Sequence, residues 1–170
     1  MAGVGVVRSA VGARPCRALA LLLACSACSA CGYAFTAGVG RLPAGAEQVA
    51  VRPLANRTGD AEAGALLAAA LRAELARRGA EGGPGAPARI EGEVEEVSSA
   101  PAGAGMWRLT LVVGARLASA RGSLAEHRAR RTEDYLAGVD PLETEGRRRT
   151  ALSRAASAAA RDIVERMEAP

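Results

Sequence analysis

Residues 106–120 alternate between apolar and polar side chains more regularly than any other part of this 170-residue chain. Successive side chains of a β-strand point to opposite sides of a sheet, so the alternation predicts one strand with a buried face and a solvated face. The apolar set is Trp107, Leu109, Leu111, Val113, Ala115 and Leu117, and the polar set includes Arg108, Thr110 and Arg116.

Two segments carry the periodicity of amphipathic helices. In residues 60–78 leucines recur every four positions, at Leu67, Leu71 and Leu75. Asp60 is placed to cap the start of this helix, and Gly79 is placed to end it. A second helix is expected to open with Asp140 as N-cap and Pro141 at its first position. Gly146 is expected to break or delay it.

Shorter alternating segments predict three further strands, at about 47–52, 89–97 and 124–136. The order β-α-β-β-β-α predicts an α+β two-layer sandwich, in which two helices pack on one face of a four-stranded sheet. Aromatic residues make up only 2% of the chain, so we expect a core built from Ala, Leu and Val. Residues 47–170 are predicted to form this single domain.

The first 24 residues have the three parts of a secretory signal, with a basic segment ending at Arg17, the short apolar stretch ALALLLA and small residues after it. The apolar stretch is too short to span a membrane, which needs roughly 20 residues. The segment also accounts for most of the net charge of +4, since three of the 22 basic residues lie in it and 19 remain against 18 acids. A nucleic-acid partner is therefore not expected.

Three cysteines at a spacing of three follow the signal, at Cys25, Cys28 and Cys31. This spacing suits thiolate ligands, but a fourth ligand would have to be Cys16 inside the signal or the distant His127. Disulfides among them would close very small loops. We favour a third interpretation, because Leu22-Leu23-Ala24-Cys25 resembles the lipobox that directs acylation of a cysteine in bacterial lipoproteins.

Acylation predicts a signal peptide at 1–24 and a lipidated flexible tether at 25–46. The residue after each cysteine is Ser or Gly, never the Asp that resembles an inner-membrane retention signal. We therefore expect the acylated protein to be located at the outer membrane. No cofactor is expected besides the covalent lipid.

Few residues suggest chemistry. His127 has no neighbouring Ser, Cys or Asp arrangement and is expected to be a solvent-facing bystander. The acidic strand face of Glu91, Glu93 and Glu95 is expected to be solvated. We therefore predict that the protein is not an enzyme.

Five arginines lie close together on the last two predicted strands and their turn, at Arg116, Arg121, Arg128, Arg130 and Arg131. Guanidinium groups bind phosphates through paired N–H donors, so this cluster is a candidate site for the headgroup of an anionic lipid. The alternative is an ordinary charged face whose arginines pair with the acidic second strand.

A combination of short segments carries a family resemblance. Cys31-Gly32-Tyr33, then Leu42-Pro43, the strand VAVRPL, Asn56-Arg57-Thr58 and the helix ending ELARRG resemble, in order and spacing, the LPS-assembly lipoprotein (LptE) family. In this family Gly-Tyr follows the modified cysteine, which favours Cys31, whereas the lipobox favours Cys25.

The resemblance implies an outer-membrane lipoprotein that binds lipopolysaccharide and plugs a partner outer-membrane β-barrel while assisting its assembly. VAVRPLANRTGD also resembles the opening of periplasmic lipoproteins that activate peptidoglycan synthesis or form part of a secretion channel, which is the alternative function.

Overall fold

The described part of the chain is residues 42–43 and 46–168 of a computed structural model, and it contains two helices and five strands. The strands are β1 (Val49–Val51), β2 (Ala55–Asn56), β3 (Ala88–Gly103), β4 (Met106–Ser119) and β5 (Gly122–Leu136). The helices are α1 (Ala63–Arg77) and α2 (Pro141–Met167). The predicted signal, Cys25, Cys31 and the tether up to residue 41 lie outside the described residues.

The five strands form one mixed sheet in which β4 is central. β4 is antiparallel to β3 on one side and to β5 on the other, along nearly all of its length. β1 and β2 run parallel to β3 along its other edge. They form one edge strand, interrupted where Pro53 has no N–H to donate. The predicted α+β sandwich is therefore confirmed, with the two-residue β2 as one strand more than predicted.

α1 begins later than its sequence suggests. Its N-cap position is Glu62, which makes no side-chain capping bond, and the predicted cap Asp60 instead accepts from the N–H of Glu62 at 3.1 Å. Asp60 belongs to the preceding turn, where the side chain of Asn56 accepts from the backbone N–H of Thr58. Gly79 has a φ of 68° and ends the helix as predicted.

α2 begins as predicted but is not broken at Gly146. The Asp140 carboxylate accepts from the N–H of Glu143 at 2.8 Å, and Pro141 occupies the first turn. The helix then runs without interruption for 27 residues. The expected break at Gly146 was wrong, because one glycine costs only about 1 kcal/mol in a helix and ion pairs of Arg147 with Glu143 and of Arg148 with Asp60 hold this part of α2.

One apolar core lies between the sheet and the two helices. The odd-numbered face of β4 is buried from Leu109 to Leu117, as the alternation predicted, and Thr110 and Val112 of the other face are buried as well. α2 contributes mainly small side chains, at Ala151, Ala155, Ala156, Ala159 and Ala160. Small residues let a helix backbone approach its neighbours closely, so the core needs little aromatic volume.

An ionic cluster joins the carboxyl ends of the two helices. Glu74 of α1 is 4% exposed, and both Arg77 and Arg78 pair with it. Arg78 also pairs with Glu168 at the end of α2. Because a buried carboxylate is costly without its partner, Arg78 holds Glu74 and α2 together.

We expect Arg78→Ala to lower the free energy of unfolding by about 3 kcal/mol, since it strips the buried Glu74 of its buried partner. Arg77→Ala is the matched control. The Arg77 side chain is 59% exposed, so its loss should cost less than about 1 kcal/mol. Denaturant unfolding of both variants measures the difference, and equal losses would contradict the role assigned to Arg78.

Candidate functional site

The outer face, the side of the sheet turned away from the helices, carries most of the charge of β3, β4 and β5. Strand register places its residues in rows across the three strands. One row is Glu91, Arg116 and Glu126, the next is Glu93, Gly114 and Arg128, and a third is Glu96, Val112 and Arg130. The outer face therefore places the acidic strand β3 beside Arg116 of β4 and, across β4, in the same rows as Arg128 and Arg130 of β5.

The five predicted arginines do not form one cluster. Arg116, Arg128 and Arg130 share the outer face, whereas Arg131 is one residue out of phase and points to the helix side of the sheet. Arg121 lies in the turn between β4 and β5. The structure brings together three of the five residues.

Arg116 is already engaged by the acidic strand. It donates to Glu91 at 2.7 Å, and Arg89 donates to the same carboxylate. The hydrogen bonds from Arg89 and Arg116 lower the pKa of Glu91 to about 2, because both stabilise its ionised form.

Arg128 pairs with Glu95 across the central strand. The register shifts by one residue between Val94 and Glu96, so Glu95 is a bulge residue on β3. It lies over Gly114, where an added Cβ would come within 2.9 Å of its carboxylate oxygen, and Arg128 Nη2 is 2.6 Å from that carboxylate. The hydrogen bond from Arg128 lowers the pKa of Glu95. Glycine at 114 is what makes room for this pair.

A trough of about 570 Å³ crosses the sheet beside these pairs. Its lining includes Gly92, Gly114, Arg116 and Arg128. A Cβ at Gly92 would lie 2.3 Å from the backbone oxygen of Gly114, so only glycine allows the two strands to approach this closely.

Arg130 and Arg121 differ from Arg116 and Arg128. Both are exposed, and neither guanidinium forms an ion pair with another of the described residues. An unpaired guanidinium keeps all its donors for an outside anion. Of the five predicted residues, these two are the most available for a phosphate.

Arg131 and His127 have a structural contact that the sequence did not suggest. Both reach Asp162 of α2, at 2.8 Å from Arg131 and 3.0 Å from His127. Burial opposes ionisation of Asp162, but the His127 hydrogen bond and the Arg131 charge outweigh it and lower its pKa. The expectation that His127 is a solvent-facing bystander was wrong, because it ties β5 to α2.

Sequence reasoning also missed an apolar segment between β5 and α2. Among the described residues the exposed large hydrophobic side chains are Leu136, Val139 and Leu142. The available signal was the occurrence of three apolar residues in LAGVDPL, a stretch otherwise composed of small and turn-forming residues.

A metal-binding group and a membrane-spanning helix are both absent from the described residues. No group of three or more His, Cys, Asp or Glu side chains in residues 42–43 and 46–168 is placed to hold a metal ion. In the same part of the chain, neither helix combines the length and hydrophobicity that a membrane span requires.

Comparison with known families gives one match. The family model LptE, described as lipopolysaccharide-assembly, matches residues 46–167. A search of curated proteins returned no match.

Two solved structures that share the fold are distant from this chain in sequence. A candidate lipoprotein from Caulobacter crescentus CB15 is 22% identical with a TM-score of 0.56, and the match covers 74% of this chain and 89% of that one. The PelC dodecamer from Paraburkholderia phytofirmans is 21% identical with a TM-score of 0.55, covering 76% of this chain and 95% of that one. Identities this low show a shared fold.

The ion pairs of Glu91 predict how the fold responds to acid. A carboxylate with a lowered pKa stabilises the fold above its ordinary pKa of 4.5, and this contribution is lost as the pH falls towards 2. We therefore expect the melting temperature to fall in that interval, and to fall less steeply in Glu91→Gln. Glu126→Gln, in the same row, is the control and should keep the parent's slope. A Glu91→Gln profile parallel to the parent would contradict this assignment.

Proposed function

The chain belongs to the LptE lipopolysaccharide-assembly family, and we propose that it is a lipid-anchored component of the lipopolysaccharide translocon in the outer membrane. The observation that carries the proposal is the extent of the family match. Residues 46–167 include both helices and all five strands of the described chain, so the family assignment rests on the whole domain. The role that follows is binding and assembly without catalysis.

The proposed anchor is an acylated cysteine followed by a tether. Cys25 has the better lipobox, and Cys31 is the alternative because Gly32-Tyr33 follows it. Two or more acyl chains hold a protein stably on a membrane, whereas one does not. The intact mass of the mature N-terminal peptide distinguishes the two cysteines, and Ser26 or Gly32 after the cysteine supports the outer membrane as the destination.

The proposed partner is an outer-membrane β-barrel, which the domain plugs and helps to assemble. What supports this part is family membership together with a small domain joined to the membrane by a tether. In residues 39–170 the described elements pack as one compact unit, which suits insertion as a single body.

Co-purification tests the proposed partner. The full-length protein with a carboxyl-terminal tag is recovered from detergent-solubilised outer membranes, and we expect a large β-barrel in equimolar amount. Depletion should lower surface lipopolysaccharide. Recovery of the chain alone, or altered cell-wall crosslinking without lipopolysaccharide loss, would contradict the proposal.

The alternative function, in peptidoglycan synthesis or a secretion channel, is tested by the same preparation. The fold is shared with PelC, whose structure is a dodecamer. A homo-oligomeric mass with no barrel would favour the secretion-channel alternative over a one-to-one plug.

Contact with lipopolysaccharide is proposed for the outer face and the β4–β5 turn. Arg116 and Arg128 are committed to Glu91 and Glu95, and so would have to exchange one anion for another. Arg130 and Arg121 carry no such cost. We therefore assign the main phosphate contacts to Arg130 on the outer face and, separately, to Arg121 in the turn. Arg116 and Arg128 are further residues of the outer face, and Arg131 is excluded by its bond to Asp162.

Substituting Arg130 tests this assignment. We expect Arg130→Ala with Arg121→Ala to weaken lipopolysaccharide binding by about tenfold at low salt, because each charge-assisted hydrogen bond contributes about 1.5–3 kcal/mol before screening. The control is Arg161→Ala with Arg72→Ala, two exposed helical arginines that form no ion pair with the described residues. Both double variants change the net charge equally, so equal affinities would contradict the assignment.

A further inference from the structure

The segment between β5 and α2, residues 136–142, is here called the apolar tip. Leu136 is 53% exposed, Val139 is 98% exposed and Leu142 is 86% exposed. These are the exposed large hydrophobic residues of the described chain, and all three lie within seven positions. Such a concentration marks a contact surface, whereas single exposed apolar residues are ordinary.

The backbone of the apolar tip is held by hydrogen bonds from within the domain. The N–H of Gly138 donates to Thr144 Oγ1 at 2.9 Å, and that of Val139 donates to Glu143 Oε2 at 2.7 Å. Arg147 donates to the carbonyls of Leu136 and Ala137, at 3.5 and 3.1 Å.

These bonds matter for a contact with hydrocarbon. A backbone polar group that enters an apolar medium without a partner costs several kcal/mol, and the apolar tip avoids this cost at four of its groups. Four backbone polar groups of the apolar tip are therefore already bonded, while Leu136, Val139 and Leu142 stay exposed.

A cavity of about 670 Å³ opens beside the apolar tip. It is lined by the end of β5 and the start of β4, through Met106, Tyr135 and Leu136, and by the first turns of α2, through Gly146 and Thr150. The charged residues at its margin are paired, Arg147 with Glu143 and Arg154 with Glu133. The margin thus offers no free charge for a phosphate, and its chemistry suits an uncharged chain.

The apolar tip and the entry of the chain into the domain lie at opposite ends of the sheet. β1, where the chain enters the domain, pairs with Ala88, and Ala88 pairs with Ser119 at one end of β4. The apolar tip lies at the other end, where Leu136 pairs with Met106. Fourteen strand residues separate the two ends, or about 45 Å. The apolar tip is thus at the end of the sheet opposite to the point where the chain enters β1.

We propose that the apolar tip and its cavity bind the acyl chains of lipopolysaccharide. This inference rests on the proposed function and adds a second contact to it: the arginines of the outer face hold phosphate, and the apolar tip holds hydrocarbon. Lipopolysaccharide, and not the anchoring bilayer, is the proposed source of the acyl chains, because the chain enters the domain at the opposite end of the sheet. The acyl contact is insensitive to salt, in contrast to the arginine contact.

The test uses the full acylated chain in phosphatidylcholine nanodiscs, titrated with purified lipopolysaccharide or with the same material after removal of its acyl chains. Trp107 is the single tryptophan and pairs with Tyr135, which lines the cavity. We expect intact lipopolysaccharide, and not the deacylated form, to shift Trp107 emission to shorter wavelength at both low and high salt.

Two variants probe the surface and the cavity separately. Val139→Ser with Leu142→Ser removes two exposed side chains and should weaken binding about tenfold or more, with no loss of thermal stability. Gly146→Leu should fill the cavity, since a Cβ at Gly146 meets nothing within 4 Å. Gly146→Ala is its matched control.

Replacing a helical glycine by either residue should raise the melting temperature, so weaker binding by Gly146→Leu alone would not reflect misfolding. Parent-like affinity in the double serine variant and in Gly146→Leu overturns the acyl site while the proposed function stands. Absence of lipopolysaccharide binding by the parent overturns both. Quenching of Trp107 by brominated phosphatidylcholine without lipopolysaccharide identifies the bilayer as the occupant and overturns the acyl site.

Discussion

Because β4 is hydrogen-bonded to β3 on one side and to β5 on the other, its alternation decides which face of the whole sheet is buried. Its odd-numbered residues belong to the same core cluster as the buried side chains of both helices. A shift of one residue in either neighbour would expose that neighbour's apolar side chains, so the register of all three long strands is fixed together. The alanines of α2 complete the arrangement by letting a long helix pack closely on a sheet that has few aromatic side chains.

The sequence predicted the features whose causes are local. The alternation of β4, the leucine spacing of α1 and the Asp140-Pro141 cap each act within one element, and each is confirmed. β2 and the bulge at Glu95 were missed because both depend on the partner strand. The prediction at Gly146 was wrong because the propensity cost of one glycine is small, and Arg148 in the next turn pairs with Asp60, which is distant in sequence. Arg131 could have been placed on the other face from Arg128 and Arg130, because odd and even positions of a strand face opposite sides. Its bond to Asp162 could not have been predicted, because it joins elements that are distant in sequence.

The outer face shows why a cluster of arginines in sequence is poor evidence for an anion site. Basic residues on the outer face form ion pairs with carboxylates of β3, which supplies Glu91, Glu93 and Glu95. The interpretation as a paired charged face therefore holds for Arg116 and Arg128. Arg130 is not part of this paired face. The residue between Arg130 and β3 in its row is Val112, and the Arg130 guanidinium forms no ion pair with the described residues.

α2 has a mechanical consequence that follows from its unbroken length. Its 27 residues extend about 40 Å, so one rigid rod begins at the apolar tip and ends at Glu168, beside Arg78 and the entry to β1. Its buried side chains lie from Ala151 to Met167, and the first ten residues are held instead by ion pairs of Arg148 with Asp60 and of Arg149 with Glu62. One continuous helix therefore joins the apolar tip to the Arg78 cluster at the other end of the domain.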